Sequence, residues 1–185
     1  MLVVLQSLFP RSVDVPFSLL SVLGSAEVTG VIFLCIVLYA PADNRLSLVF
    51  LFGLATLIEM IGKTFIDQPA PPDVVYRYVP ILPLVLSEKV TSEFSFPSGH
   101  ALRTIFIVMV LVNMISASRL TRAKKYLLFV VLGMIEIIML VSRVYLAEHW
   151  TTDVIGGTML GTAFALIALD VTIPLPRLVT RRKIV

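Results

Sequence analysis

Residues 126–147 read YLLFVVLGMIEIIMLVSRVYLA and contain two charged side chains, Glu136 and Arg143. A helix needs about 20 mostly apolar residues to cross the hydrocarbon core of a bilayer. This stretch has that length, and it lacks the wide polar face with which a helix of a soluble domain meets water. It therefore predicts a transmembrane helix.

The composition of the whole chain agrees with this prediction. Of its 185 residues, 58% are hydrophobic and 15% are charged, and the mean hydropathy is +0.98. A soluble domain is about 45–50% apolar and about 25% charged, and one of this size leaves roughly a third of its unfolded surface in water. We therefore expect an integral membrane protein with a single domain over residues 1–185. The net charge of +3 is too small to indicate a nucleic-acid partner.

Four more apolar stretches are long enough to span a membrane. They are residues 16–40, 46–65, 101–117 and 151–173. All 11 prolines lie at the edges of the five stretches or between them, outside the helix interiors that proline would break. Residues 1–9 are too short to cross and, with residues 13–20, predict a short N-terminal helix in the membrane interface, or alternatively a re-entrant segment. The fold class is thus an all-α membrane bundle of about five transmembrane helices.

The distribution of basic residues predicts the orientation of the bundle. Nine of the 15 lysines and arginines fall in the connections after the first and third spans and in the C-terminal tail. They are Arg45, Arg119, Arg122, Lys124, Lys125, Arg177, Arg181, Arg182 and Lys183. Because cytoplasmic segments carry an excess of positive charge, we expect the C-terminus in the cytoplasm and the chain in the plasma (inner) membrane. Five spans then put residues 67–97 on the extracytoplasmic side.

Three polar clusters interrupt the apolar pattern, all at the predicted extracytoplasmic face. The first cluster is Lys63 with residues 67–71 (DQPAP), the second is residues 96–100 (FPSGH), and the third is residues 142–153 (SRVYLAEHWTTD). Both histidines of the chain, His100 and His149, lie in these clusters. Such a coincidence is not expected of incidental histidines, so the clusters predict a functional site.

The clusters combine a helix start with fixed positive charge. Ser98 and Gly99 precede a predicted helix, so their backbone N–H groups and the helix dipole can hold an anion. Lys63 and Arg143 add positive charge, and the planar guanidinium of Arg143 suits phosphate oxygens. These features indicate a site for a phosphate group.

The two histidines can supply the reactive groups. His149 and Asp153 lie four residues apart at a helix start, so the carboxylate can accept a hydrogen bond from one imidazole nitrogen. The other nitrogen can then act as a nucleophile, and His100 can protonate a departing alkoxide. Beside an anion site, this arrangement indicates phosphoryl transfer that needs neither a metal nor another cofactor.

Two of the clusters resemble signatures of a known family. Residues 97–100 (PSGH), together with Ser142-Arg143, five residues, His149, three residues and Asp153, are similar to the second and third signatures of the type 2 phosphatidic acid phosphatase family. That family comprises membrane lipid phosphate phosphatases and is related to vanadium haloperoxidases. The resemblance covers residues 63–153 and, by helix count, most of the chain. It implies a hydrolase that acts on a phosphorylated membrane lipid.

The resemblance also implies a role for each site residue. His149 would attack phosphorus and form a phosphohistidine, Asp153 would orient His149, and His100 would protonate the leaving group. The phosphate oxygens would be held by Lys63, Ser98, Gly99 and Arg143. Undecaprenyl pyrophosphate, phosphatidylglycerol phosphate and phosphatidic acid all suit such a site as substrates.

The first signature departs from the family pattern. The family usually has a lysine, six residues and then Arg-Pro, whereas Lys63 is followed at that spacing by Ala70-Pro71. Losing one charged clamp costs about 1.5–3 kcal/mol, the range for hydrogen bonds to charged groups. Arg77 or Arg103 can take its place, or the substrate differs. The alternatives are therefore a phosphotransferase that uses the same residues and a non-catalytic protein that binds or transports a lipid phosphate.

Charged residues inside the predicted spans need partners. Arg103 lies one helical turn below His100, and Glu59 and Glu136 lie at similar depth. Because charges within the membrane are usually paired, we expect Arg103 to pair with Glu59 or Glu136. Glu59 can instead pair with Lys63, four residues further along the same helix.

A stripe of small residues marks the last span. Gly157 and Gly161 are spaced as in the Gly-x-x-x-Gly pattern that lets transmembrane helices approach closely. The stripe favours tight packing within one bundle. A homodimer formed through this face is the alternative.

Overall fold

The computed structural model describes residues 2–79 and 94–172, and this part of the chain is almost entirely helical. Its seven α-helices are α1 (Leu2–Leu8), α2 (Asp14–Leu23), α3 (Ala26–Tyr39), α4 (Ala42–Phe65), α5 (Gly99–Ala117), α6 (Arg122–Tyr145) and α7 (Thr151–Thr172). Two 3₁₀ turns cover Arg11–Val13 and Asp73–Val75. The predicted basic tail, Arg177 to Lys183, lies outside the described residues, as do residues 80–93 of the predicted 67–97 segment.

Four of the described helices are long and apolar enough to cross a membrane, namely α4, α5, α6 and α7. A fifth candidate is bent, because residues 11–23 and α3 meet at an angle of 46°. The all-α membrane bundle of about five spans is therefore confirmed. The short helix α1 is also present and packs against α6.

The first predicted span, residues 16–40, is wrong in one respect, since two helices replace the continuous one. α2 ends at Leu23, and α3 begins after Ser25, whose side chain accepts a hydrogen bond from the Val28 N–H. A serine at this position satisfies a backbone donor that a continuous helix would have bonded internally. Gly24 lies at the bend against His100, and a Cβ there would be 2.7 Å from His100 Cδ2. The bend therefore brings the N-terminal helices onto the second cluster.

Helix α5 lies at the centre of the bundle and packs against α3, α4, α6 and α7. Its contact with α7 follows the small-residue stripe. A Cβ on Gly157 would lie 3.2 Å from Ala101 Cβ, and one on Gly161 would lie 2.5 Å from Ile105 Cγ2. The stripe is therefore used for packing within the bundle, as expected, and it does not present a free dimer face.

The three polar clusters meet at one end of the bundle, which we call the site end. Helix α4 ends there after Lys63, α5 begins there after Ser98, and the turn from α6 to α7 carries the third cluster. Toward the other end, an aromatic group joins three helices. The Phe33 and Phe52 rings stack with centroids 4.1 Å apart, and Phe106 meets Phe52 at 5.2 Å.

Candidate active site

The start of α5 is fixed by Ser98. Its side chain caps the helix by accepting a hydrogen bond from the Ala101 N–H, and the residue is fully buried. The Ser98 N–H donates to the Asp153 carbonyl at 2.9 Å. This bond ties the second cluster directly to the third.

Gly99 allows an ion pair to lie against the same helix terminus. A Cβ at Gly99 would be 2.5 Å from Glu59 Cδ and 2.7 Å from Arg103 Nη1. Any side chain at this position would collide with both partners, since atoms that are not bonded to each other do not approach so closely. The glycine of the second cluster therefore makes room for charged groups of α4 and α5.

Glu59 bridges two of the positive charges at the site end. Its Oε1 lies 2.8 Å from Lys63 Nζ, and its Oε2 lies 3.0 Å from Arg103 Nη1. Both expected pairings of Glu59 are therefore present together. Glu136 does not pair with Arg103 and instead accepts a hydrogen bond from the Thr104 hydroxyl at 3.0 Å.

Arg143 is the most deeply buried cation of the site, with no exposed side-chain surface. Its Nη2 meets Glu148 Oε2 at 2.6 Å, without the alignment of a hydrogen bond. Its Nε and Nη1 have no hydrogen-bond partner among the described residues. A buried guanidinium ordinarily has its donors occupied, so these groups are available to an anion.

The turn after α6 brings His149 back toward Arg143. The Arg143 carbonyl accepts hydrogen bonds from the Glu148 N–H at 3.2 Å and the His149 N–H at 3.3 Å. Ala147 reaches this turn with φ 61°, a left-handed conformation that is uncommon for residues other than glycine. Backbone strain of this kind persists only where surrounding contacts enforce it.

The expected pair of His149 and Asp153 is adjacent in the structure. His149 Nδ1 lies 3.4 Å from Asp153 Oδ2, a loose contact, and the histidine side chain is 12% exposed. The Asp153 side chain is fully buried, and its Oδ2 also accepts a hydrogen bond from the Trp150 N–H at 2.9 Å. The carboxylate thus lies behind the imidazole, on the side of Nδ1.

Gln68 was missed in the sequence analysis. Its Nε2 donates a hydrogen bond to Asp153 Oδ1 and another to Thr152 Oγ1, the latter at 2.8 Å. Nearby, Trp150 Nε1 donates to the Pro69 carbonyl at 2.8 Å. The first cluster therefore contacts the third through Gln68. The signal available in the sequence was that a buried carboxylate needs several donors, and a glutamine in the first cluster can provide one.

The positive groups converge on His100. The side chains of Lys63, Arg103, Arg143 and His149 all lie close enough to His100 to interact with it electrostatically. With the contacts above, the structure brings all seven predicted site residues together. Within residues 2–79 and 94–172, no group of three or more histidine, cysteine, aspartate or glutamate side chains is arranged to hold a metal ion.

Arg77 and Arg103 differ in how well they are placed to replace the arginine that the family signature has at the position of Ala70. The Arg77 guanidinium donates to the Tyr145 hydroxyl at 2.8 Å and to the Gln6 carbonyl at 3.4 Å, so it is engaged between α1 and α6. Arg103 is part of the group around His100, and its Nε has no hydrogen-bond partner among the described residues. Of the two arginines, only Arg103 lies in the group around His100, where its Nη1 is paired with Glu59.

An apolar groove of about 590 Å³ adjoins the polar site between α4 and α7. It is lined by Ile58, Ile61, Gly62, Phe65, Ile66, Phe96, Pro97, Gly156, Met159 and Leu160. Gly62 is the chain neighbour of Lys63, and Pro97 is that of Ser98. The apolar groove and the cations of the polar site are therefore neighbours in the structure.

Comparison with known proteins identifies the family. The sequence pattern of the PAP2 superfamily matches residues 44–174, which include every site residue described above. The chain belongs to the PAP2 superfamily. The matched range runs from the first turn of α4 to the end of α7.

Two curated relatives are similar in sequence to part of this PAP2 chain. Phosphatidylglycerophosphatase B of Bacillus subtilis (strain 168) is 31% identical over 125 residues, covering 66% of this chain and 55% of the relative. Undecaprenyl-diphosphatase of Sulfolobus acidocaldarius is 29% identical over 127 residues, covering 68% of this chain and 54% of the relative. The chain thus matches about half the length of these relatives.

Two solved structures share the PAP2 fold. The transmembrane PAP2-type phosphatidylglycerolphosphate phosphatase of Bacillus subtilis superposes with a TM-score of 0.70 at 22% identity, covering 95% of this chain and 85% of the other. LpxE of Aquifex aeolicus superposes with a TM-score of 0.66 at 22% identity, covering 91% and 92%. At this level of identity the likeness concerns the fold.

Proposed function

We propose that this PAP2 protein is a lipid phosphate phosphatase that works through a phosphohistidine. The observation that carries the proposal is the convergence of both histidines with a buried, incompletely bonded Arg143 at one end of the bundle. Such a site offers cations to hold an anion, a nucleophile and a proton donor at one end of the bundle. Two relatives, named phosphatidylglycerophosphatase B and undecaprenyl-diphosphatase, support the same chemistry.

The reaction proceeds in two displacements. In the first, His149 Nε2 attacks phosphorus, the bond between phosphorus and the lipid oxygen breaks, and His100 donates a proton to that oxygen. In the second, water attacks the phosphohistidine, His100 accepts the proton from water, and the phosphorus–nitrogen bond breaks to release phosphate. Asp153 Oδ2 stabilises the charge that develops on His149. None of these steps uses a metal ion.

The phosphate oxygens are held by Lys63, Arg143 and the start of α5 at Ser98 and Gly99. Their positive charge stabilises the charge that develops in the transition state. The lipid chain lies in the apolar groove between α4 and α7. Substrates of this form include phosphatidylglycerol phosphate, undecaprenyl pyrophosphate and phosphatidic acid. The excess of basic residues in the connections at the other end supports an extracytoplasmic position for the site end.

A second candidate is a non-catalytic protein that binds or transports a lipid phosphate, and two observations support it. Ala70 replaces a charged clamp, and the carboxylates of Glu59 and Glu148 already contact the cations Lys63 and Arg143. A protein of this kind binds a lipid phosphate without turning it over. A phosphotransferase uses the same residues and differs in the acceptor of the second step.

The deciding experiment measures phosphate release by the purified protein from the three candidate lipids, each with and without EDTA. We expect release from at least one lipid, unaffected by EDTA, and loss of at least about 1,000-fold in His149→Ala, as for removal of a catalytic nucleophile. Cys35→Ser, an exposed residue of α3, is the matched control and should keep full activity.

The alternatives give different results. Lipid binding without release of phosphate would support the non-catalytic protein, and phosphate found on an added alcohol would support the transferase. Activity that disappears with EDTA and returns with a divalent ion would exclude the metal-independent mechanism.

A further inference from the structure

The first cluster carries an alanine where the family signature has an arginine, yet it makes a specific contact with the candidate catalytic residues. That contact is Gln68, whose amide lies on the buried side chain of Asp153. The sequence separation of 85 residues excludes a local turn as its origin. The fold of the loop after α4 therefore positions the Gln68 amide against the Asp153 carboxylate.

The two oxygens of Asp153 have different partners. Oδ1 accepts the hydrogen bond from Gln68 Nε2, whereas Oδ2 accepts one from the Trp150 N–H and faces His149 Nδ1. The two oxygens are chemically equivalent, but rotation of the carboxylate plane would draw one of them away from His149. The hydrogen bond from Gln68 to one oxygen therefore restrains this rotation and keeps the other oxygen on His149.

Gln68 is itself held in place. Its backbone carbonyl accepts hydrogen bonds from the Ser95 N–H at 2.8 Å and the Ser95 hydroxyl at 3.1 Å. The next residue, Pro69, pairs with Phe94 in an isolated bridge. The side-chain Nε2 also donates to Thr152 Oγ1. The backbone of Gln68 and its side-chain amide are thus each held, so the amide can hold a carboxylate in turn.

We propose that Gln68 is a positioning residue that holds Asp153 in the orientation that serves His149. The inference rests on the proposed function, because it assigns Gln68 to the same reaction. Without the Gln68 amide, Asp153 Oδ1 loses its donor inside a buried site, which is unfavourable for a carboxylate. The group is then held at Oδ2 alone, by the Trp150 N–H, and is free to rotate about that bond. The loose contact of Oδ2 with His149 Nδ1 is the one that such a rotation weakens, although every group that touches the phosphate is still present.

The test compares kcat and KM for Gln68→Met, which keeps the length of the side chain and removes the amide. We expect kcat to fall by about 10- to 100-fold, as for small displacements of catalytic groups, and KM to stay within about two-fold. Gln68→Glu, which offers a carboxylate instead of a donor, should lose at least as much. Asp67→Asn, the exposed neighbour in the same loop, is the matched control and should keep its kcat.

A double substitution separates positioning from a general structural role. Because Gln68 acts through Asp153, Gln68→Met should lower kcat by less than about two-fold in an Asp153→Asn background. An equal loss in both backgrounds would overturn the proposal. So would a Gln68→Met enzyme with the wild-type kcat.

A second readout does not depend on turnover. The chain has two histidines, so ¹⁵N-labelled histidine gives a simple spectrum in which His149→Ala assigns the signals of His149. We expect Gln68→Met to move those signals toward their positions in Asp153→Asn, and unchanged signals would contradict the inference. Should the wild type release phosphate from no lipid, the proposed function fails, while this spectrum still tests whether Gln68 holds Asp153.

Discussion

The two ends of the bundle are held together in different ways. At the site end, helices meet through directional contacts, such as the Glu59 bridge and the bond from Ser98 to Asp153. Toward the opposite end, a buried cluster that includes Phe33 and Phe106 is held by the packing of aromatic and aliphatic side chains. Hydrogen bonds and ion pairs fix the positions of particular side chains and bury little apolar surface. Apolar packing stabilises the bundle but positions no reactive group.

This difference predicts that substitutions at the two ends affect different properties of the protein. Changes at the site end should lower activity more than stability, because the groups there act on the substrate. Changes in the aromatic cluster should lower stability and leave the rate of the folded protein nearly unchanged. The three substitutions that follow test this contrast.

The largest of the three effects is expected for Arg143→Ala. It removes the buried guanidinium and leaves the Glu148 carboxylate without its cation. With about 1.5–3 kcal/mol for each hydrogen bond to a charged group, kcat/KM should fall at least about 100-fold, close to 3 kcal/mol. Arg143→Lys, which keeps the charge without the planar fork, should recover part of the loss. A value for Arg143→Ala within three-fold of wild type would remove this arginine from the site.

Phe106→Ala should lower the stability of the bundle by removing a ring from the aromatic cluster. Phe106 is fully buried between Phe33 and Phe52. We expect the free energy of unfolding to fall by about 3 kcal/mol, the low end for aromatic-to-alanine changes in cores, because van der Waals packing is one of the forces that hold helices together in lipid. Unfolding in detergent measures this change, with Phe50→Ala as the matched control, since Phe50 is 64% exposed. A large loss of kcat without loss of stability would contradict the contrast between the ends.

Glu148→Gln should give the smallest effect and the opposite sign. Its carboxylate lies on Arg143, where an anion would otherwise bind, so removing the charge should tighten binding of inorganic phosphate by about three- to ten-fold. Inhibition of the phosphatase by added phosphate measures this change. Asp170→Asn, an exposed acid near the end of α7, should leave inhibition unchanged. Weaker inhibition in Glu148→Gln would mean that the carboxylate helps to hold the site rather than competing for it.

The sequence alone predicted the spans with long apolar runs. α7 was expected over residues 151–173 and lies at Thr151–Thr172, and α4 was expected over residues 46–65 and lies at Ala42–Phe65. Hydrophobic length determines such helices, and this property is local. The bend at Gly24 and Ser25 was missed because both flanking segments are apolar, and its contact with His100 depends on another helix.

The site was predicted to the extent that its residues belong to recognisable clusters. Depth in the membrane and helical spacing offered Arg103 and Lys63 as alternative partners of Glu59, and the structure shows both contacts together. Two features did not follow, the contact of Gln68 with Asp153 and that of Glu148 with Arg143. The first depends on how a loop folds across the bundle, and the second on a left-handed residue, Ala147, that no local pattern specified.

The glycine stripe has an electrical consequence. Gly157 lies over Ala101 and Gly161 over Ile105, so α5 and α7 run side by side in the same direction. Two parallel helices add their macrodipoles, and each N-terminus carries about half an elementary positive charge. The C-termini of α4 and α6 lie at the same end of the bundle and carry the opposite partial charge. The positive potential is therefore local to the starts of α5 and α7, where Ser98 and Asp153 lie. It has no side chain to mutate and needs no proton.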